Sequence, residues 1–335
     1  MNIPRMISTI ESHTAGEPTR IIINGIPKIP GKTMNEKKEY FNNNYDYIRK
    51  TLMFEPRGSR AMFGVLLTEP VNKESDFGAI FMDSSKVVDM CGHASIGLAT
   101  TALECGWVEL KEPHTIIKFD TPNNTITTKA TIKDGKIKGI TLEGAPSFFY
   151  KDVTIDIPKI GKINAEISFG GNFFALVDIN QVGIKEIKAE NVYELISIGR
   201  SILDQANEQI EVKHPTIETI NSIFSMQLIT NSTGSSSDSK NITIGLHSQV
   251  DRSPCGSGTC ARLAALHAKG QLGINEEFIY ESVIGTRFSS RIKSTKTIGE
   301  YQGIIPEVFG SAYLTSMSNI IINKDDPLQE GFLLT

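Results

Sequence analysis

Long hydrophobic runs, cysteine, tryptophan and surplus charge of either sign are all scarce in this chain of 335 residues. Its longest apolar stretches, such as Gly78-Ala79-Ile80-Phe81-Met82, fall far short of the roughly 18–20 residues needed to cross a bilayer, so no membrane-spanning role is expected. The start, Met1-Asn2-Ile3-Pro4-Arg5-Met6, lacks the apolar segment and small-residue cleavage site of a signal peptide, and a cytoplasmic location is expected. Lys and Arg number 34 against 38 Asp and Glu, and a net charge of −4 with a single Trp argues against a nucleic-acid partner. The four cysteines, Cys91, Cys105, Cys255 and Cys260, are too few for a disulfide scaffold and include no C-x-x-C pair for zinc or redox chemistry. What matters is whether any of them is a reactive thiol.

Most of the chain reads as short strands: Ile7–Glu11, Arg20–Ile23, Ala79–Met82, Thr115–Phe119, Asn124–Ile132, Lys138–Leu142, Ile163–Phe169, Phe173–Val177, Met226–Thr230 and Ile242–Leu246. Turn signals such as Asn24-Gly25, Asp120-Thr121-Pro122-Asn123 and Asp134-Gly135 punctuate them. Two amphipathic helices stand out. Thr33 and Glu36 make a capping-box pattern ahead of Phe41, Tyr45, Ile48 and Leu52. A second helix from about Glu190 to Asn207 places Val192, Leu195, Ile196, Ile202, Leu203 and Ala206 on its buried side. Both read as packing helices. No Pro-rich or charge-rich linker divides the chain, and the one low-complexity stretch, 231–241, reads as a hairpin loop.

A repeat supplies the division. Cys91-Gly92-His93-Ala94-Ser95 and Cys255-Gly256-Ser257-Gly258-Thr259 share the pattern Cys-Gly-x-x-[Ser/Thr], and each continues through small and apolar residues to a glycine, Gly106 or Gly270. The offset from 91 to 255 is 164, close to half of the chain, which predicts two lobes with one copy each. Each cysteine is expected on a turn at a helix N-terminus, with the glycine in the left-handed position after its end. There, backbone N–H groups and the positive end of the helix dipole favour a thiolate and can bind a carboxylate. Core packing does not call for a Cys-Gly pair twice. Cys105, at the end of the first helix, and Cys260, inside the second, read as structural.

Two thiols on either side of a small amino acid's Cα can invert it, one removing the α-proton and the other delivering a proton to the far face. The amides beside Gly92, His93, Gly256 and Ser257 would hold the carboxylate and the charge that develops on it. His93 and Asp251 would suit a secondary ammonium group. Taken alone, His93 also fits a helix cap or a hydrogen-bonded core, and Asp251 the turn before Pro254. Three other schemes compete. A Cys-His hydrolase would pair Cys91 or Cys255 with His13, His93 or His267 but leave the second Cys-Gly copy unexplained. Zinc held by Cys91, Cys255 and His93 has no support from spacing, and a non-catalytic amino-acid-binding protein is the reading outside the enzymes.

Met90-Cys91-Gly92-His93-Ala94-Ser95-Ile96-Gly97 and Asp251-Arg252-Ser253-Pro254-Cys255-Gly256-Ser257-Gly258-Thr259 resemble the paired signature motifs of the proline racemase family. So do Ser12-His13-Thr14-Ala15-Gly16-Glu17-Pro18-Thr19-Arg20, Glu55-Pro56-Arg57-Gly58, Ser168-Phe169-Gly170-Gly171-Asn172-Phe173-Phe174 and Asp325-Asp326-Pro327-Leu328 with Gly331-Phe332. The resemblance implies an α+β fold similar to diaminopimelate epimerase: two pseudo-symmetric lobes, each a barrel-like sheet around a central helix, with the active site in the cleft between them. It places the first lobe at 1–148 and 318–335 and the second at 149–317. It implies a homodimer that needs neither pyridoxal phosphate nor metal. Cys91 and Cys255 would be the acid/base thiols, and His93 and Asp251 would contact the ring nitrogen of proline or 4-hydroxyproline. Dehydratases of trans-3-hydroxyproline in the family typically carry Thr in place of the second cysteine, so Cys255 disfavours dehydration. Phe63 matches a pocket position that tends to be aromatic in proline-specific relatives, and an apolar wall suits an unsubstituted ring. Gly245-Leu246-His247 departs from the Phe that many relatives carry there, which would widen the pocket or place a polar group near the ring and so admit a hydroxyl. Ser59 stands where relatives often have His.

Overall fold

In a computed structural model of the chain, residues 5–230, 236–245 and 249–334 are described. No helix among them is long and apolar enough to cross a membrane. The chain divides into two compact units, Met1–Leu142 with Ser311–Thr335, and Glu143–Gly310.

In the first unit β1 (Arg5–Thr14) pairs antiparallel with β2 (Glu17–Asn24) and with β18 (Ala312–Ile322). The chain then runs through α1 (Met34–Met53) to β3 (Phe63–Thr68), which lies parallel to β2 and antiparallel to β4 (Phe77–Asp83). After β5 (Val87–Val88) and α2 (Gly92–Glu104), β6 (His114–Asp120) joins parallel to β4, followed antiparallel by β7 (Thr125–Lys133) and β8 (Lys136–Glu143).

The second unit repeats this wiring. β9 (Ser147–Ile157), β10 (Gly161–Phe169) and β11 (Phe173–Asp178) run antiparallel; α3 (Val192–Gln209) leads to β12 (Ile223–Thr230), parallel to β11. β13 (Ser239–Gly245), β14 (Val250–Asp251) and α4 (Gly256–Ala268) precede β15 (Glu277–Glu281), parallel to β13. β16 (Arg287–Ile298) and β17 (Tyr301–Gly310) follow antiparallel, and β17 returns to pair with β9. The class is α+β, with a sheet wrapped on a helix in each unit, as the resemblance implied.

The apolar runs that read as strands have a specific cause. Alternate side chains of a strand face opposite ways, and in β2, β3 and β4 one set (Ile21, Val65, Ala79, Phe81) joins the core around α2. The other set (Ile22, Leu66, Ile80, Met82) joins a separate core beneath α1. Likewise Phe173, Ala175 and Val177 of β11 pack with Leu195, Ile202 and Leu203 of α3, and Phe174 and Leu176 pack with Ala261 and Ala265 of α4. Strands covered on both faces lose their polar alternation and read as continuous apolar segments.

Thr33 caps α1, its hydroxyl accepting from the Glu36 N–H at 3.1 Å, but the Glu36 carboxylate bonds Lys32 N–H and not the cap. Phe41, Ile48 and Leu52 are buried as expected, whereas Tyr45 is half-buried at a kink. In α3 Ile196 is only half-buried and Gly199 joins the packed face. The strands flanking 231–241 do pair as a hairpin, Thr230 opposite Lys240. Residues 231–235 of that loop, with Leu246 and His247, lie outside the described residues.

Candidate active site

Both Cys-Gly motifs open helices. Cys91 is the N-cap of α2 and Cys255 the N-cap of α4. Gly106 and Gly270 both take φ of +68° beyond the helix ends, the left-handed conformation that lets the closing N–H groups turn back onto the last carbonyls. Those bonds run from Gly106 N to Leu103 O (3.1 Å) and from Gly270 N to His267 O (2.9 Å). The first intrahelical bonds are Ser95 N to Cys91 O and Thr259 N to Cys255 O, so the amides of Gly92, His93, Gly256 and Ser257 precede the hydrogen-bond ladder of each helix.

In the first unit the predicted residues Cys91, Gly92, His93 and Phe63 come together. Cys91 is buried, and its Sγ lies 3.2 Å from Nδ1 of His93, within reach of proton exchange. His93 is itself buried and held from two sides. The Thr14 hydroxyl donates to its carbonyl at 2.7 Å, and the edge-on ring of Phe63 packs against its imidazole with centroids 4.5 Å apart. Phe63, half-buried at the start of β3, thus touches the residue proposed to meet substrate.

In the second unit Asp251, Cys255, Gly256 and Ser257 form a cluster. Cys255 has φ +66° and ψ 111°, a costly backbone conformation for any residue but glycine. A short relay supports it: Cys255 N–H donates to the Ser253 hydroxyl (3.1 Å), and that hydroxyl donates to Asp251 Oδ1 (2.7 Å), which also accepts the Ser253 N–H (2.8 Å). Asp251 therefore does organise the turn before Pro254 while standing beside the thiol. Gly258 N–H donates to Cys255 Sγ at 3.4 Å, and the Ser257 hydroxyl lies 3.7 Å away.

The electrostatics of Cys255 differ from the expectation for a helix N-terminus. Burial pushes its thiol well above the ordinary thiol range and the Asp251 carboxylate adds to the rise, while the Gly258 N–H and the Ser257 hydroxyl pull back less. Burial and the carboxylate both favour the protonated thiol. Desolvation outweighs the helix end.

The other two cysteines fall where expected, Cys105 at the C-cap of α2 and Cys260 buried within α4. Of the histidines named for a hydrolase, His13 Nδ1 accepts the Gly16 N–H, and His267 meets Leu272 O at the far end of α4 from Cys255. Of these three, His93 stands against a motif thiol, Cys91 Sγ, at 3.2 Å. Thr14, Ser253 and Gly258 support the two sites without having been singled out, although Thr14, Ser253 and Gly258 all lie inside motif segments. Gly245 closes β13, where its N–H bonds Gln249 O. Nothing in the structure explains Ser59.

The proline racemase family model matches residues 9–333. The chain belongs to the proline racemase family. It is 44% identical over 334 residues to the proline racemase of Acetoanaerobium sticklandii, covering 99% of both chains. It is 42% identical over 335 residues to that of Clostridioides difficile, covering 100% of both. Among solved structures, a hydroxyproline epimerase from Agrobacterium vitis with bound trans-4-OH-L-proline superposes with a TM-score of 0.89 at 30% identity, over 100% of this chain and 96% of that one.

Proposed function

We propose that the protein interconverts L- and D-proline by proton transfer at Cα, with Cys91 and Cys255 as the two acid/base groups. One thiolate takes the α-proton; the electron pair left on Cα delocalises into the carboxylate, and the other thiol gives its proton to the opposite face. The two sulfurs end with their protonation exchanged, and the reverse reaction restores them. The amides of Gly92, His93, Gly256 and Ser257 hold the carboxylate as charge builds on it. His93 and Asp251 receive the ring ammonium, and Phe63 walls the ring. The single observation carrying this reading is the duplicated thiol at a helix N-terminus, once beside an imidazole at 3.2 Å and once buried beside a carboxylate. The two thiols therefore stand in different surroundings.

The same chemistry epimerises 4-hydroxyproline, and two observations favour that second reading: the A. vitis neighbour carries that ligand, and Gly245 stands where a Phe would narrow the pocket. The reading includes a cytoplasmic homodimer working without pyridoxal phosphate or metal, supported by the family resemblance. Proton NMR in D2O under reducing conditions tests it, with L-proline, trans-4-hydroxy-L-proline and trans-3-hydroxy-L-proline given separately. Deuterium at Cα together with the opposite configuration is the expected result. Binding with no exchange would leave an amino-acid-binding protein in its place.

A further inference from the structure

The turn that carries Cys255 rests on a set of buried polar side chains that the motifs do not contain. Asn241 and Thr243 on β13, Gln227 on β12 and Tyr280 on β15 are all buried, three of them at 0% exposure. Strand register brings Gln227 opposite Thr243. Tyr280 donates its hydroxyl to Gln227 Oε1 at 3.0 Å, and Gln227 Nε2 donates to the Thr243 hydroxyl at 2.8 Å. Thr243 in turn donates to Asn241 Oδ1 at 3.1 Å. The chain ends on the backbone of the turn, where Asn241 Nδ2 donates to the Pro254 carbonyl at 3.2 Å, one peptide before the strained Cys255. Gln227 also fills the space beside Gly258, since a Cβ on that glycine would stand 2.2 Å from Gln227 Nε2. A buried polar network costs stability unless every member is satisfied, and this one is placed at the one position in the helix-capping motifs where a non-glycine residue has positive φ.

We propose that Asn241 and Gln227, oriented by Thr243 and Tyr280, are positioning residues for Cys255. Asn241 pins the carbonyl that leads into the turn, Gln227 sets the height of the first turn of α4, and together they hold the thiol in line for proton transfer. The inference rests on the reading of Cys255 as a reacting thiol.

The test compares Asn241→Ala and Tyr280→Phe with Ser290→Ala, which deletes a buried hydroxyl in the same unit that donates to Phe278 O. Two readouts are taken on each purified full chain: kcat and KM for proline, and the rate of iodoacetamide labelling at Cys255 relative to Cys91, read by peptide mass spectrometry. Asn241→Ala is expected to lower kcat by about 10-fold or more with little change in KM, because small misplacement of a reacting group is costly. Labelling of Cys255 rises by about 5-fold relative to Cys91 as the freed turn exposes and hydrates the thiol. Tyr280→Phe removes one oxygen only and moves both readouts the same way by less, and so carries the test if Asn241→Ala does not fold. Ser290→Ala moves neither. A labelling ratio unchanged in both network variants, or changed equally by Ser290→Ala, overturns the proposal. The ratio needs no turnover, so failure of the racemase reading would show as absent activity in the wild type while the ratio still decides the positioning role.

Discussion

The two Cys-Gly turns share wiring, helix length and closing glycine, yet they hold their sulfurs in opposite ways. Cys91 sits in extended backbone at φ −143°, within an apolar core that includes Val65, Phe81 and Ala94, and its neighbour is an imidazole. Cys255 sits at φ +66° over a polar network, and its neighbours are a carboxylate and a hydroxyl. Duplication supplied a scaffold with two equivalent anion-friendly helix ends. The two turns differ at a few positions, His93 against Ser257 above all, and these give the two thiols different neighbours.

The largest expected effect comes from removing either sulfur. Cys91→Ser and Cys255→Ser should each lower racemisation by about 1,000-fold, since a serine hydroxyl is a far weaker acid than a thiol and its alkoxide is not populated at neutral pH. Chiral analysis of product from each enantiomer checks this, and a variant of either kind that racemises at full rate would sink the two-thiol scheme. The next effect probes the difference between the turns. His93→Ser makes position 93 match Ser257; it should cost about 100-fold in kcat/KM and slow iodoacetamide labelling of Cys91 at neutral pH. Labelling of Cys91 at the wild-type rate would mean that the imidazole is not its proton partner.

Much of this contrast was invisible in the sequence. The repeat, the helix caps, the closing glycines and ten strand cores could be read from periodicity and turn residues. Eight strands were not read, β16 and β18 among them: Arg287–Ile298 and Ala312–Ile322 are largely exposed and rich in Ser, Thr, Lys and Asn, with an apolar run only at the end of β18. The positive φ of Cys255 had no glycine to announce it. The network beneath it comes from three strands distant in sequence, joined only by register. One clue was available, since Gln227 and Asn241 interrupt or border apolar strand runs at buried positions, where a polar side chain requires a partner.

A third prediction concerns Cys260, the thiol within α4. Burial pushes the Cys260 thiol up to about 12, with no charged neighbour involved. In the unfolded chain a thiol ionises near 8.5. Its contribution to stability is therefore complete below that value and is lost as pH rises from there toward the folded value, because the unfolded state releases a proton that the folded state retains. At pH 10 the loss amounts to about 2 kcal/mol. Urea melts between pH 7 and 10 should show a shallower alkaline decline in Cys260→Ala than in the wild type. Parallel curves would mean that Cys260 ionises alike in both states.

The smallest expected effect concerns substrate choice. Phe63 packs edge-on to the His93 ring, with centroids 4.5 Å apart. Truncation to Phe63→Ala removes an apolar wall and loosens the imidazole at once. These two roles make different demands on the data. Loss of the wall weakens proline, whose unsubstituted ring relies on apolar contact, more than trans-4-hydroxy-L-proline, whose hydroxyl gains water and room; the ratio of their kcat/KM values should shift by about 10-fold toward the hydroxylated substrate. A loosened imidazole would lower both values together, because each substrate depends on the same proton transfer at Cα. A common decline with the ratio unchanged would therefore assign Phe63 to holding His93, and leave the choice of ring to the second unit, where Gly245 departs from the family's aromatic residue.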